Sequence, residues 1–500
     1  MKKTKSLCPE CMKVIDASIF EEDGKIIIEK NCKDHGEFKD ICWSNSDFYK
    51  KFERVGNCGE FPENSNTRKH IASQEKLGDK KGCPYDCGLC SNHKTMTLLA
   101  NMDVTNRCNQ SCRVCFANAA VSGHIYEPSM NQIKKMMAVL RNDKPIPCLA
   151  IQFAGGEPTM REDFPEIVAM AKDFGFSQIQ VATNGIKLAN NVEYCRRLQE
   201  AGLNTVYLQF DGVNSASYMH ARGYNALPAK LGAIENCRRA GLTSIVLVPT
   251  LIKGVNDDQI GEILRFASKN LDVIRGVNIQ PVSFVGRITK EEREKQRITI
   301  PDFFKLIEEQ TNGEITGDDF YPVPFVLPIS HFVEAWRRRQ QVEFTVHPHC
   351  GAATYIFVKN GHFVPITRFI DVERLMEFLD SSAKEVNQSK VSRLMTVEKI
   401  LREVPKFVDK SKVPTGINIT KMLIDVLRKG SIGATSEFHR NTLFLGVMHF
   451  QDPYNIDLER VQRCGIHYAV PDGRVIPFCA YNTIYRPHIE REYCKEGGAI

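Results

Sequence analysis

Between residues 96 and about 300, short apolar runs alternate with amphipathic stretches. The runs stand at 97–104, 148–153, 178–182, 205–210, 244–250 and 276–280. Between them apolar residues recur at helical spacing, as over 130–141, 163–174 and 229–240. Strand-then-helix repetition of this kind predicts parallel strands joined by right-handed crossovers. Six units predict an α/β fold, a three-quarter (β/α)6 barrel or an open sheet, and either collects ligands at the C-terminal ends of its strands.

The flanks read differently. Residues 14–20 and 25–29 alternate around Asp23-Gly24, a hairpin signal framed by Cys8-x2-Cys11 before it and Cys32 and Cys42 after it. Knuckle, hairpin and returning cysteine are the plan of a metal ribbon, holding zinc or a single rubredoxin-like iron. The expected fourth ligand is Cys42, with His35 as the alternative. Beyond residue 300, the segment 321–333 is apolar and carries Pro322, Pro324 and Pro328. It is expected to be neither one regular helix nor a central strand, and to line a hydrophobic cavity. Trp336, Arg337, Arg338 and Arg339 follow. An indole beside three guanidiniums suits a boundary between apolar chains and anionic headgroups, and equally a solvated helix end. Two later segments look like copies: Cys350 leads to a turn at Asn360-Gly361, and Cys464 leads to a turn at Asp472-Gly473, with Cys479 and Cys494 behind it. Both turns carry a type I′ signal. The expected domains are a metal ribbon (1–57), an auxiliary Fe–S segment (58–95), the barrel (96–300) and a substrate-cavity and auxiliary-cluster domain (301–500).

Composition narrows the class. The 500 residues are 42% hydrophobic and 25% charged, the range of chains that fold. A net charge of +6 names no nucleic-acid partner. No uncharged apolar stretch reaches the length of a bilayer span, and Cys8 interrupts the N-terminus before a secretory apolar core could form. The expected location is cytoplasmic, with peripheral membrane contact. Eighteen cysteines in short-spaced groups point to metal rather than disulfides.

Cys83-x3-Cys87-x2-Cys90 and Cys108-x3-Cys112-x2-Cys115 repeat one spacing, and three thiolates on a tight loop can each hold one iron of a cubane. Only the second group directly follows the first barrel strand. After the second strand comes Ala154-Gly155-Gly156-Glu157-Pro158, whose glycines admit close backbone approach. A lone G-G-E-P is a turn; together with the cysteine loop at neighbouring strand ends, it resembles the radical S-adenosylmethionine superfamily over roughly 96–290. The resemblance implies a [4Fe–4S] cluster on Cys108, Cys112 and Cys115, with S-adenosylmethionine chelating its open iron and its amino group held by Gly155, Gly156 and Glu157. Thr183, Asn184, Gln209 and Asp211, at later strand ends, are expected along the nucleoside. Val114 departs from the aromatic residue common before the third cysteine.

Cys148, Cys195 and Cys237 fall inside barrel elements and read as core residues. Eight cysteines remain, enough for two auxiliary [4Fe–4S] clusters: Cys58 with Cys83, Cys87 and Cys90, and Cys350 with Cys464, Cys479 and Cys494. Cys58 and Cys350 are exchangeable in this division. The whole layout closely resembles the archaeal tetraether lipid synthase group, earlier placed with radical methyltransferases of pterin biosynthesis. That resemblance implies coupling of two terminal sp3 carbons of archaeol-type isoprenoid chains, with an auxiliary cluster trapping the first radical. It also implies a membrane-lipid substrate, three [4Fe–4S] clusters beside the ribbon metal, and a low-potential ferredoxin or flavodoxin as electron donor. The alternatives are a radical methyltransferase acting on 7,8-dihydro-6-hydroxymethylpterin and an Fe–S electron carrier or scaffold.

Overall fold

The computed structural model describes residues 1–56, 81–88, 90, 92–119, 123–285, 290–388, 393–414, 417–429 and 442–494. Cys58, expected as a cluster ligand, lies outside the described residues.

β1 (Lys2–Leu7), β2 (Val14–Glu22), β3 (Lys25–Cys32) and β4 (Gly36–Trp43) form an antiparallel sheet in sequential order. Asp23 and Gly24 have φ of 49° and 72°, as a two-residue type I′ turn requires. Cys32 pairs with Gly36 and Ile26 with Trp43, so Cys32 and Cys42 stand at opposite ends of the β3–β4 hairpin. The ribbon docks through buried Trp43, which lies edge-on against Phe52 of the helix Ser46–Gly56 and against His349.

The six expected barrel strands are β5 (Leu99–Thr105), β6 (Ala150–Gly155), β7 (Gln178–Thr183), β8 (Thr205–Gln209), β9 (Ile245–Val248) and, after the short β10 (Thr250–Leu251), β11 (Ile274–Pro281). They pair in parallel in that order. Alternate residues such as Ile151, Phe153, Ile179, Val181, Val206 and Leu208 are buried in one core with the helices Met130–Arg141, Phe164–Asp173, Val192–Ala201 and Leu227–Ala240. The first of these helices opens on a capping box: Ser129 Oγ accepts from Gln132 N, and Gln132 Oε1 accepts from Ser129 N at 2.8 Å.

The sheet continues at both edges with strands from the last third of the chain. These are β12 (Tyr321–Pro322), β13 (Gly351–Lys359), β14 (His362–Pro365), β15 (Leu443–Met448), β16 (Ile466–Ala469) and β17 (Val475–Pro477). β15 pairs parallel with β11 and β16 parallel with β5, making eight consecutive parallel strands. Antiparallel β13 and β17 then cover the two edges, which would otherwise expose unpaired backbone groups. The hairpin expected at Asn360-Gly361 is a type I′ turn, with φ of 54° and 82°. The one at Asp472-Gly473 is not: only Gly473 has positive φ, and residues 470–474 form a longer loop.

The proline-rich segment is, as expected, neither one regular helix nor a central strand. Pro328 sits in the first turn of the helix Leu327–Arg337, where no intrahelical N–H is required. The prolines therefore divide 321–333 into β12, a 3-10 turn (Val323–Val326) and a helix. That helix packs on the helix Val372–Gln388 in a second core with Phe357, Leu375 and Leu379. Trp336 is half-buried at its end, stacked 6.4 Å from Phe332, and Arg337, Arg338 and Arg339 are exposed. Among the described residues no helix is long and apolar enough to cross a membrane.

Candidate active site and metal centres

The barrel encloses a cavity of about 540 Å³ whose lining includes Cys108, Cys112 and Cys115. The loop that carries them leaves β5 and is stapled at its base. Arg107 Nη2 donates to Glu127 Oε2 at 2.6 Å, Tyr126 N donates to Asn106 Oδ1 at 2.9 Å, and Asn106 Nδ2 reaches His124 O at 2.9 Å. Burial pushes the Cys108 thiol up to about 12 and raises that of Cys112, so these sulfurs become thiolates by binding a cation.

Gly155 and Gly156 answer a contact within the chain. A Cβ on Gly155 would stand 2.1 Å from Thr105 O, and one on Gly156 2.3 Å from Arg107 O. Gly155 also has φ +128°. Gly156 N and Glu157 N donate to those same two carbonyls, each at 2.8 Å. G-G-E is thus the surface on which the cysteine loop lies. Glu157 lines the cavity, and its side chain is a brace. Buried, it accepts from Thr159 Oγ1 (2.6 Å), Thr183 Oγ1 (2.8 Å), Asn184 N (2.7 Å) and Thr159 N (3.1 Å), tying the end of β6 to the end of β7. Asn184 Nδ2 continues the tie to Asn109 Oδ1 of the cysteine loop at 2.7 Å.

Thr183, Asn184 and Gln209 line the cavity as expected, and Asp211 does not. Fully buried, Asp211 is paired bidentately by Arg222, Nε at 2.7 Å and Nη2 at 2.9 Å. Arg222 also donates to Val114 O at 2.9 Å, so it pins the cysteine loop from the β8 side. Neither Arg222 nor Lys230 carries a motif that reveals it in sequence. Lys230, buried, donates to Asn184 O at 2.5 Å and Gln209 Oε1 at 2.7 Å, and burial lowers its pKa to about 8.

Deeper in the cavity the strands present a belt of carboxamides. Asn101, Gln152 and Gln180 are neighbours on one rung of the sheet, continued by Tyr468 of β16. Asn278 and Gln280 of β11 stand across from them, both hydrogen-bonded to Tyr207 Oη, and Gln152 Nε2 donates to Asn101 Oδ1 at 3.1 Å. An apolar part of the wall is made by Val246, Phe444, Met448 and the stack of Phe116, Phe450 and Phe478. Residues 321–333 and Trp336–Arg339 are absent from this lining. The belt was visible in sequence as one amide at an alternating position inside most barrel strands.

In the ribbon, one donor atom each from Cys8, Cys11, Cys32 and His35 lies within 4.8 Å of all the others. Cys32 Sγ and His35 Nδ1 are 3.5 Å apart, and Cys11 Sγ and Cys32 Sγ 3.9 Å. Three thiolates and an imidazole form a set that tetrahedral zinc accepts, whereas a rubredoxin-like iron takes four thiolates. Cys42, expected as the fourth ligand, is corrected to His35. The hairpin register carries Cys42 to the far end, where it is buried beside Trp43 and its thiol is pushed up to about 12. Cys83, Cys87 and Cys90 gather around a small pocket with His93, Gln462 and Pro477, outside the barrel mouth. Cys350, Cys464 and Cys479 are mutual electrostatic neighbours. Cys494 is bridged to Tyr126, in a groove with Glu127, Ser129 and Arg161. Cys148, Cys195 and Cys237 are core residues.

Residues 102–267 match the profile of the Radical SAM superfamily, and residues 1–44 that of the HMPTM N-terminal zinc ribbon domain. With a cysteine loop and a G-G-E-P surface at adjoining ends of a parallel barrel, the protein is a radical S-adenosylmethionine enzyme. A Methanocaldococcus jannaschii protein named 7,8-dihydro-6-hydroxymethylpterin dimethyltransferase is 52% identical over 98% of this chain and 95% of its own length. The chain belongs to the family of that protein. GTP 3′,8-cyclase of Peptoclostridium acidaminophilum is 26% identical over 45% of this chain and 69% of its own. Of solved structures, Streptococcus suis SuiB bound to S-adenosylmethionine covers 61% of this chain and 69% of its own, at 17% identity and a TM-score of 0.36.

The residues present fit the group this class carries: three cysteines line the cavity, Cys112 buried and Cys108 and Cys115 half-buried, and the Arg222 charge favours a thiolate at Cys112. When bound there, the cluster and S-adenosylmethionine supply a primary carbon radical able to abstract hydrogen from an unactivated C–H bond.

Proposed function

We propose that this enzyme methylates a reduced hydroxymethylpterin held in the barrel. The observation that carries the reading is the carboxamide belt. A pterin edge alternates donors and acceptors in one plane, and Asn101, Gln152, Gln180, Asn278 and Gln280 offer both kinds of group from two facing sides of the cavity. The stacked rings of Phe116, Phe450 and Phe478 offer a flat apolar surface for its face. The name of the Methanocaldococcus jannaschii relative supports the same substrate class. Within this reading Glu157 and Arg222 hold the cysteine loop against the strand ends. The belt orients the ring, and a low-potential ferredoxin or flavodoxin supplies electrons.

A second reading, coupling of archaeol-type isoprenoid chains, draws on the apolar wall from Val246 through Met448. Against it, a saturated chain leaves without partners those belt donors and acceptors that are not already paired to one another or to Tyr207, at about 1–3 kcal/mol each. The two features expected to serve a lipid, the 321–333 segment and Arg337–Arg339, lie in or on the second core instead. Enzyme reconstituted anaerobically, with dithionite and S-adenosylmethionine, is offered 7,8-dihydro-6-hydroxymethylpterin or an archaeol phospholipid and its products are weighed by mass spectrometry. Methylated pterin is expected. Loss of two hydrogens from the lipid, with the pterin unchanged, establishes the second reading.

A further inference from the structure

His449 stands directly across from Cys350. β13 and β15 pair Gly351 with Met448, and His449 N donates to Cys350 O at 3.0 Å, which opposes the next two residues along. Opposed residues of antiparallel strands project their side chains to one face, with Cβ atoms about 4.5–5.5 Å apart. Met448 and Phe450 line the barrel cavity and His449 between them does not. Its side chain is 2% exposed, and neither Nδ1 nor Nε2 has a hydrogen-bond partner. An imidazole buried with both nitrogens unpaired is costly unless something absent from protein atoms alone pairs with it.

Two further observations locate that something. Cys479 Sγ accepts from Gln451 N at 3.4 Å, two residues beyond His449, and Cys464 has Cys479 and Cys350 as its electrostatic neighbours. Beside them Arg460 is 6% exposed, donates to His449 O at 3.0 Å, has Cys350 and Cys479 as electrostatic neighbours, and makes no ion pair with a carboxylate among the described residues. A buried guanidinium needs a counter-charge. Neutral thiols give none, whereas iron-bound thiolates at Cys350 and Cys479 do.

We propose that His449 is the fourth protein ligand, with Cys350, Cys464 and Cys479, of an auxiliary [4Fe–4S] cluster. It takes the place expected for Cys494. A neutral imidazole in place of a thiolate makes the centre less negative and easier to reduce, the direction histidine ligation gives in Rieske centres. The inference rests on the radical S-adenosylmethionine assignment and on neither substrate reading.

The test uses full-length protein with zinc in the ribbon and Cys108, Cys112 and Cys115 changed to Ala, so that only auxiliary clusters remain. Dithionite-reduced samples without S-adenosylmethionine are examined by pulsed EPR, with and without isotope-labelled histidine. One centre is expected to show a strongly coupled histidine nitrogen. His449→Cys should keep its iron, lose that coupling and lower the midpoint potential, which a merely packed histidine would not do. Absence of histidine coupling, or its persistence in His449→Cys, overturns the proposal. If His449→Cys does not accumulate, His349→Ala and His93→Ala, which alter buried histidines next to Cys350 and beside the Cys83 triad, must each leave the coupling in place; its loss in either assigns the nitrogen elsewhere and also overturns the proposal.

Discussion

Gly156 is, with Gly155, a point at which the adenosyl site tolerates little change. Its missing Cβ would fall 2.3 Å from Arg107 O and 2.7 Å from Asn106 O, both backbone atoms that cannot swing aside. Gly156→Ala is expected to lift the Cys108 loop off the end of β6 and to lower S-adenosylmethionine cleavage at least about tenfold, some 1.4 kcal/mol. Measuring 5′-deoxyadenosine alongside total iron checks this: cleavage falls while auxiliary iron stays. Arg222 makes a different demand. Arg222→Gln leaves Asp211 charged, buried and unpaired, and should destabilise the fold by about 3–5 kcal/mol in chemical denaturation. Adding Asp211→Asn should restore much of that. Of these residues the G-G-E-P motif was legible because its spacing after a strand is diagnostic. Arg222 was not, since a buried arginine in a short helix looks like any helical arginine until its partner at the end of the preceding strand is known.

At the scale of elements, the barrel core read well because each strand is a short apolar run between helices with their own caps, such as Ser129 with Gln132. β15 and β16 were not legible as barrel strands. They come from beyond residue 440 with no βα crossover to announce them, and the Cys464 that introduces β16 suggested an isolated hairpin. The ribbon teaches the same lesson about register. The cysteine spacings allow either Cys42 or His35, and only the pairing of Cys32 with Gly36 shows which end of the hairpin each occupies. His35→Ala is accordingly expected to lower ribbon metal content to near zero and Cys42→Ser to leave it unchanged. Metal analysis of the purified variants, with the Cys108 loop intact in both, reads the difference.

For the whole molecule, the cysteine sites link metal content to stability. Burial raises the thiols of Cys83 and Cys108 to about 12, from an ordinary value of 9.0. Between those limits the unfolded chain has lost protons that the folded, iron-free chain still holds, so the stability of the iron-free protein falls as pH rises through that window. In the loaded protein the same sulfurs are already thiolates in the fold, and this loss disappears. Buried Lys30 and Lys230, lowered to about 8, act oppositely up to their ordinary 10.5 but do so in both forms. The difference in urea midpoint between loaded and iron-free protein should therefore widen from pH 8 to pH 10; a constant difference would mean these thiols are not cluster ligands. The central claim, that the amide belt of the barrel selects a pterin, is tested most directly by pterin-stimulated 5′-deoxyadenosine formation in a Gln152→Leu, Gln180→Leu double variant. Losing two hydrogen bonds of about 0.5–1.5 kcal/mol each predicts a fall of roughly 5- to 150-fold in that stimulation. Undiminished pterin stimulation, or a variant that instead gains activity on archaeol lipid, would contradict it.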